Sequence, residues 1–129
     1  MIRGVSDEFV VRDDQGQPKR LSSAVLDPST IEVDPYCGLS VDIEQLMIED
    51  GLNPVHHLRG RNFLGSLVFN VNSFRSRNFF VGYDPLTENP YHGAVWQDAA
   101  RESKLTRGTK KALLREAAWF VPIANVPIV

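Results

Sequence analysis

The stretch Asp84-Pro85-Leu86-Thr87-Glu88-Asn89-Pro90-Tyr91-His92-Gly93 lies between two β-prone runs, Phe79 to Tyr83 and Ala94 to Trp96. Proline fixes its own φ and restrains the residue before it, so Asp84 and Asn89 are held in extended or turn conformations. A loop this stiff presents its polar groups in a nearly fixed arrangement. That arrangement suits a binding or catalytic edge, and it suits an ordinary rigid turn equally well.

Strands also dominate the sequence before this loop. Leu67, Phe69 and Val71 alternate with their neighbours at a period of two, which predicts a strand with one mostly buried face. Another short strand is expected from Glu8 to Arg12, where turn-forming residues follow at 13–16. Strands and helices are mixed without a regular βαβ alternation. We therefore expect an α+β fold with a central, mostly antiparallel sheet.

Two helices are predicted, one in each half of the chain. The first follows Asp42, a suitable N-cap, and ends before Gly51, which is suited to the position after the C-cap. The second runs from about Thr106 to Trp119 and carries an apolar stripe along one side. We expect this C-terminal amphipathic helix to pack on the sheet. Its expected packing residues are Leu113, Ala117 and Phe120.

Length and composition predict one globular domain, residues 1–129. The chain has 43% apolar residues and a single cysteine, Cys37, which excludes an intrachain disulfide and fits a reducing compartment. No secretory signal pattern and no apolar run of about 20 residues is present. We therefore expect a cytoplasmic protein that has no membrane partner.

The last ten residues, 120–129, contain one polar side chain, Asn125, and two prolines. A segment this apolar predicts an edge strand or an extended tail packed on the domain. The alternative is that a protein partner supplies the groove for this tail, in which case the chain is a protein-interaction subunit.

Charge is distributed unevenly along the chain. Residues 1–60 carry eleven acidic and five basic side chains, whereas residues 61–129 carry five acidic and nine basic ones, for a net charge of -2. The imbalance indicates either a basic face in the second half or attraction between the two halves of one fold.

A short internal repeat lies in the basic half. The pattern Arg-x-Arg-Asn-Phe begins at Arg59 and again at Arg75, and it includes Arg61 and Arg77. Guanidinium groups suit phosphate oxygens, and an exposed ring can stack on a base. The pattern predicts a nucleotide or nucleic acid as partner, with Asn89 reading polar groups of that ligand. A helical stripe extends this surface and consists of Arg107, Lys111 and Arg115. Alternatively, both phenylalanines are core and the arginines are solvated turn residues.

A catalytic reading uses His92 as general base. Ser22, Ser23 or Ser40 is then the nucleophile, and Asp42 or Asp84 orients the histidine. No Gly-x-Ser-x-Gly elbow marks any of these serines as activated. The carboxylates also have structural roles, as a helix cap and as Asx-turns. Three histidines are present, but no metal-binding spacing is found, so neither a metal nor a cofactor is expected.

Several short boxes resemble those of an uncharacterised group of small bacterial proteins. The boxes are Ser22-Ser23-Ala24-Val25-Leu26-Asp27-Pro28, Leu39-Ser40-Val41-Asp42, Asp84 to His92 with the pattern Asp-Pro-x-x-x-Asn-Pro-x-His, and the helix to Trp119. This resemblance implies no particular activity. The resemblance implies that one site is formed by Ser22, Ser23, Ser40, Asp42, Asp84, Asn89 and His92. The chain also faintly resembles the Arg-Glu-Ser family of NAD-consuming toxins. In that comparison Arg3 and Ser40 match the family's arginine and serine, and no glutamate of this sequence matches its glutamate.

The favoured function from sequence is a binding module for a phosphate-rich ligand, either a nucleotide or single-stranded nucleic acid. The first alternative is a small enzyme that acts on an ester, phosphoester or glycosidic bond of a nucleotide. The second alternative is the protein-interaction subunit described above.

Overall fold

The computed structural model describes residues 1–27, 38–59, 61–97 and 105–129, and of residues 57–59 it describes the backbone alone. Cys37 lies outside these ranges. The described strands are β1 (Ile2–Val5), β2 (Val10–Arg12), β3 (Pro18–Leu21), β4 (Leu39–Asp42), β5 (Gly65–Val68), β6 (Phe80–Tyr83), β7 (His92–Trp96) and β8 (Ala118–Val121). The described α-helices are α1 (Glu44–Glu49), α2 (Pro54–Arg59), α3 (Val71–Arg75) and α4 (Arg107–Glu116), and two 3₁₀ helices span Asp7–Phe9 and Ser23–Leu26.

Six of the described strands form one sheet in the order β6-β7-β4-β1-β5-β8, and every neighbouring pair is antiparallel. Strands β2 and β3 form a separate antiparallel pair. The prediction of an α+β fold with a mostly antiparallel sheet and a C-terminal helix is confirmed. None of the described helices is long and apolar enough to cross a lipid bilayer.

Helix α4 begins at a side-chain cap and packs through its apolar stripe. Thr106 is the N-cap, and its hydroxyl accepts a hydrogen bond from the Thr109 N–H at 3.2 Å. Leu113 is fully buried in the same apolar cluster as Leu67 of β5 and Val95 of β7. This cluster fixes the position of α4 relative to the sheet, and the packing predicted for Leu113 is confirmed.

The predicted C-terminal end of this helix was wrong. Helix α4 ends at Glu116, Ala117 is extended, and Trp119 and Phe120 belong to β8. Trp119 lies opposite Leu67 of β5. Aromatic residues fit a half-buried strand at least as well as a helix, so pairing with β5 decides the local structure.

The predicted strand through Val71 was also wrong at its end. Strand β5 stops at Val68, and Val71 is the first residue of α3. Asn70 is the reason, since its side-chain oxygen accepts the Asn72 N–H at 2.9 Å and starts a helix. Helix α3 carries the buried ring of Phe74, which meets the buried ring of Phe79 edge to face at 6.1 Å.

The apolar tail packs on its own chain. Val126 is buried, and the carbonyl oxygen of Pro127 accepts the Leu21 N–H of β3 at 3.3 Å. Upstream, β8 is the edge strand that pairs with β5. These contacts support the intramolecular version of the tail prediction.

Candidate functional site

Asp42 is the centre of a polar cluster at the end of β4. Its carboxylate accepts hydrogen bonds from Arg61 Nη1 at 2.9 and 3.1 Å and from Asn89 Nδ2 at 2.7 Å. Asp42 is 5% exposed and Asn89 is 6% exposed. The predicted role of Asp42 as a helix cap was wrong, because the N-cap of α1 is Ile43 and no side chain caps it. A buried carboxylate needs a charged partner, and Arg61 supplies one from 19 residues away.

The predicted loop between β6 and β7 holds Asn89 in this cluster. The Leu86 and Asn89 backbones pair with each other across a tight turn, and the Tyr83 hydroxyl donates to the Pro90 carbonyl at 2.7 Å. The Asn89 side-chain oxygen accepts the Tyr91 N–H at 3.2 Å. Both ends of the Asn89 amide are therefore occupied within the fold.

His92 lies beside Asp42 on β7. The two residues are directly opposite each other in the β4–β7 register, so their side chains share one face of the sheet. His92 Nδ1 is 2.7 Å from the carbonyl oxygen of Asp84 and 3.7 Å from its carboxylate. A carbonyl only accepts, so Nδ1 carries the proton in this contact and Nε2 is the basic nitrogen of the neutral ring.

The predicted serines lie at different distances from His92. Ser40 is opposite Ala94 in the register and is therefore a diagonal neighbour of His92, about 7–8 Å away between backbones. Ser23 lies in the 3₁₀ helix Ser23–Leu26, which packs against α4, and Ser22 caps that helix by accepting the Ala24 N–H. Only Ser40 shares a strand pair with the histidine.

Arg3 joins this region to the 3₁₀ helix. Its guanidinium donates to the carbonyl oxygens of Ser40 at 2.8 Å, Val25 at 3.0 Å and Asp27 at 3.4 Å. Burial lowers the Arg3 pKa to about 10, and the nearby carboxylates of Asp42 and Asp27 oppose that shift. All of these bonds go to backbone, so Arg3 positions chain segments.

The repeated arginines lie in different environments. Arg77 forms two hydrogen bonds with the Glu116 carboxylate, at 2.7 and 3.0 Å, and this contact raises its pKa. Arg61 is bound to Asp42 and lies 5.1 Å from the centre of the Phe63 ring. Arg75 donates to the Val81 carbonyl at 3.4 Å, and the side chain of Arg59 lies outside the described residues. Two of the four predicted phosphate ligands therefore already have a carboxylate partner.

A basic groove of about 470 Å³ lies elsewhere, between β3, the 3₁₀ helix Ser23–Leu26, α4 and the end of the chain. The residues that define the basic groove are Arg20, Leu21, Ser23, Arg107, Lys111, Leu114, Arg115, Ile128 and Val129. Sequence reasoning found the helical stripe and missed Arg20. Nothing in the sequence around Arg20 signals contact with α4.

The four cations of the basic groove are Arg20, Arg107, Lys111 and Arg115. Each is exposed, and none forms an ion pair or side-chain hydrogen bond with another described residue. Their neighbour Lys110 is different, because it is paired with Asp27. The basic groove therefore brings together four exposed cations that form no ion pair with another described residue.

Among the described residues, no group of three or more His, Cys, Asp or Glu side chains has a metal-binding arrangement. No protein-family model, no curated protein and no solved structure matches the chain significantly.

Proposed function

We propose that the protein is a binding module for a phosphate-rich ligand, either a nucleotide or single-stranded nucleic acid, and that the phosphates bind in the basic groove. The observation that carries this proposal is the presence of four cations without a described partner around one cavity. Arginine and lysine are the usual protein ligands of phosphate oxygens. Ser23 adds a hydroxyl donor to the same cavity.

The position of the cations on α4 supports a binding role. The first turn of α4 contains no acidic residue, and Arg107 is the first residue of the helix. Cations near a helix N-terminus oppose the helix dipole, at a cost of roughly 0.3–1 kcal/mol each. Arg107 therefore opposes the helix dipole in the first turn, and a bound anion would offset this cost.

The proposal moves the phosphate contacts away from the repeated arginines. Binding a phosphate at Arg61 or Arg77 requires displacing the carboxylate of Asp42 or Glu116. The cations of the basic groove require no such exchange. Arg59 and Arg75 remain predictions for additional contacts along the ligand.

The test compares two variants with equal loss of charge. The groove variant carries Lys111→Gln and Arg115→Gln, and the control carries Arg12→Gln and Lys19→Gln. Fluorescence titrations with ATP, inorganic tripolyphosphate and an oligothymidylate are made at two salt concentrations. The expected result is loss of binding in the groove variant alone. Equal binding by both variants contradicts the location, and no binding of any of these anions by wild type at low salt contradicts the function.

A second candidate is a small enzyme that acts on an ester, phosphoester or glycosidic bond of a nucleotide. The contact between His92 and Asp84 favours it, because Nδ1 donates its proton to the Asp84 backbone carbonyl and Nε2 is then left as a base. Ser40 is the proposed nucleophile, and it has to approach the ring from the diagonal position. Release of product from a nucleotide panel by wild type, with none by His92→Asn, is the expected outcome. Identical rates in the two proteins contradict this candidate.

The proposal also includes a cellular location and a family membership. We propose a cytoplasmic location and membership of the bacterial group with the Ser-Ser-Ala and Asp-Pro-x-x-x-Asn-Pro-x-His boxes. The contact between Asp42 and Asn89 brings two of these boxes together in space. The protein-interaction alternative loses its main support, since the apolar tail contacts β3 of its own chain.

A further inference from the structure

The geometry points to a single strand of nucleic acid, bound through its sugar–phosphate backbone and without regard to base sequence, as the ligand of the basic groove. This inference rests on the proposed function, because it names one ligand class for the same groove. Three features of the groove carry it: the spacing of its cations, the presence of a cation on a second element, and the chemistry of its remaining lining.

The cations on α4 are spaced regularly. Arg107, Lys111 and Arg115 follow one another at intervals of four residues, and all three line the groove. At about 1.5 Å per residue, each interval advances about 6 Å along the helix. This step is comparable with the distance between successive phosphates on one strand. The three contiguous phosphates of a single nucleotide are too close together to reach all three positions at once.

A fourth cation comes from a different element. Arg20 belongs to β3, and the carbonyl of Pro127 accepts a hydrogen bond from the next residue, Leu21. Strand β3 and the end of the chain are therefore tied together on the groove side. A ligand that lies along α4 meets Arg20 as well as the helical row, so an extended strand can contact four cations.

Apart from the Ser23 hydroxyl, which also suits a phosphate oxygen, the described lining beside the cations is aliphatic. No aromatic ring is present among the described residues that line the groove, and stacking on such rings is how single strands usually gain base contacts. The apolar lining is aliphatic and consists of Leu21, Leu114, Ile128 and Val129. Phosphate contacts position a strand and carry no sequence information. Binding by this groove therefore depends on the number of phosphates and not on the bases.

The experiment measures the affinity of wild type for four ligands. They are an oligothymidylate of about 12 nucleotides, an abasic phosphodiester of equal length, ATP and inorganic tripolyphosphate. We expect the first two to bind with equal affinity, within about threefold, and the last two to bind at least about tenfold more weakly. Between about 50 and 200 mM salt, four phosphate contacts give a slope of log K against log salt near -2.8, and each substitution Arg20→Gln, Arg107→Gln, Lys111→Gln or Arg115→Gln reduces its size by about 0.7. Circular dichroism of each variant confirms that it is folded.

Each other result has a defined meaning. If the abasic ligand binds much more weakly than the oligothymidylate, bases are read and the inference is overturned, while the proposed function stands. If ATP or tripolyphosphate binds as tightly as the oligomers, the ligand is not a strand, and again only the inference fails. If none of the four ligands binds at low salt, the inference and the proposed function fail together. An unchanged slope in the groove variants, equal to that of Lys19→Gln, places the strand elsewhere and overturns the inference.

Discussion

Arg77 and Glu116 form a two-bonded ion pair that joins the turn after α3 to the last residue of α4. The two nitrogen–oxygen distances are 2.7 and 3.0 Å, and the residues are 39 positions apart in the sequence. Arg77 also donates to the Ser73 carbonyl at 2.7 Å. The guanidinium of Arg77 therefore links the two helices through its hydrogen bonds. These bonds make it a poor candidate for the phosphate contact that the repeated Arg-x-Arg-Asn-Phe pattern suggests.

This ion pair gives a pH-dependent contribution to stability. The hydrogen bond from Arg77, followed by one from Ser73, lowers the pKa of Glu116 below its ordinary value. A carboxyl whose folded pKa is below its unfolded pKa contributes stability above the unfolded pKa and loses it as the pH falls through the folded pKa. Glu116→Gln should therefore melt at a lower temperature than wild type at neutral pH, and the difference should vanish in acid. Melting curves across the acid range test this. A difference that persists at the lowest pH sinks the explanation, and Asp14→Asn is the control.

The position of Leu113 predicts a severe folding defect. Its side chain is fully buried in the cluster that joins α4 to the sheet. Leu113→Asp should unfold the protein, because an unpaired buried carboxylate costs several kcal/mol. Leu52→Asp is the matched control, since Leu52 is exposed. Circular dichroism compares the two variants, and a folded Leu113→Asp protein would show that α4 is placed incorrectly.

Because Asp42 is buried, its pair with Arg61 should contribute more to the free energy of unfolding than the exposed pair of Asp7 and Arg12. Asp42 binds Arg61 and Asn89 in a buried cluster, whereas Asp7 binds Arg12 at the surface. Asp42→Asn should cost about 1–3 kcal/mol, because it removes a charge-assisted acceptor and leaves donors facing an amide. The free energy of unfolding is measured in urea. Asp7→Asn should change it by less than about 0.5 kcal/mol, as is usual for exposed pairs. Equal costs for the two variants contradict the cluster.

Two valines of the C-terminal tail should contribute differently to the stability of the protein. Val126 is 5% exposed and Val129 is 68% exposed. Val126→Ala should destabilise the protein by about 1.5 kcal/mol, because two buried methyl groups are lost, and Val129→Ala should have little effect. Deletion of residues 125–129 should lower the melting temperature of a monomer without changing its mass in light scattering. A shortened chain that melts unchanged would mean that the tail does not pack on its own domain.

Local signals in the sequence were sufficient to predict several secondary-structure elements. The prolines of the loop from Asp84 to Gly93 restrict the backbone wherever they stand, so a rigid loop was predicted there. The β-prone runs on either side predicted the two flanking strands. Gly51 has a φ of +75°, which explains why a glycine follows α1. The apolar stripe of α4 identified Leu113 as a packing residue. Each of these signals acts within a few residues of chain.

The parts that could not be predicted depend on contacts between distant residues. Nothing local to Arg61 or Arg77 reveals that carboxylates 19 and 39 positions away bind them. Arg20 contacts the groove only because β3 is held near α4 by tertiary packing. Trp119 had equal local reasons to continue a helix or to start a strand, and the free edge of β5 decided between them. The candidate site was therefore incomplete until these contacts were known.

The measurement that tests the basic groove most directly compares two neighbouring cations of β3. Arg20 lines the groove, whereas Lys19 is not among its lining residues. Both Arg20→Gln and Lys19→Gln remove one positive charge from an exposed position of the same short strand. Affinity for an oligothymidylate at low salt is measured for each by fluorescence titration. We predict that Arg20→Gln weakens binding roughly 3- to 5-fold and that Lys19→Gln leaves it unchanged. Equal effects of the two substitutions would contradict a phosphate-binding groove at this place in the fold.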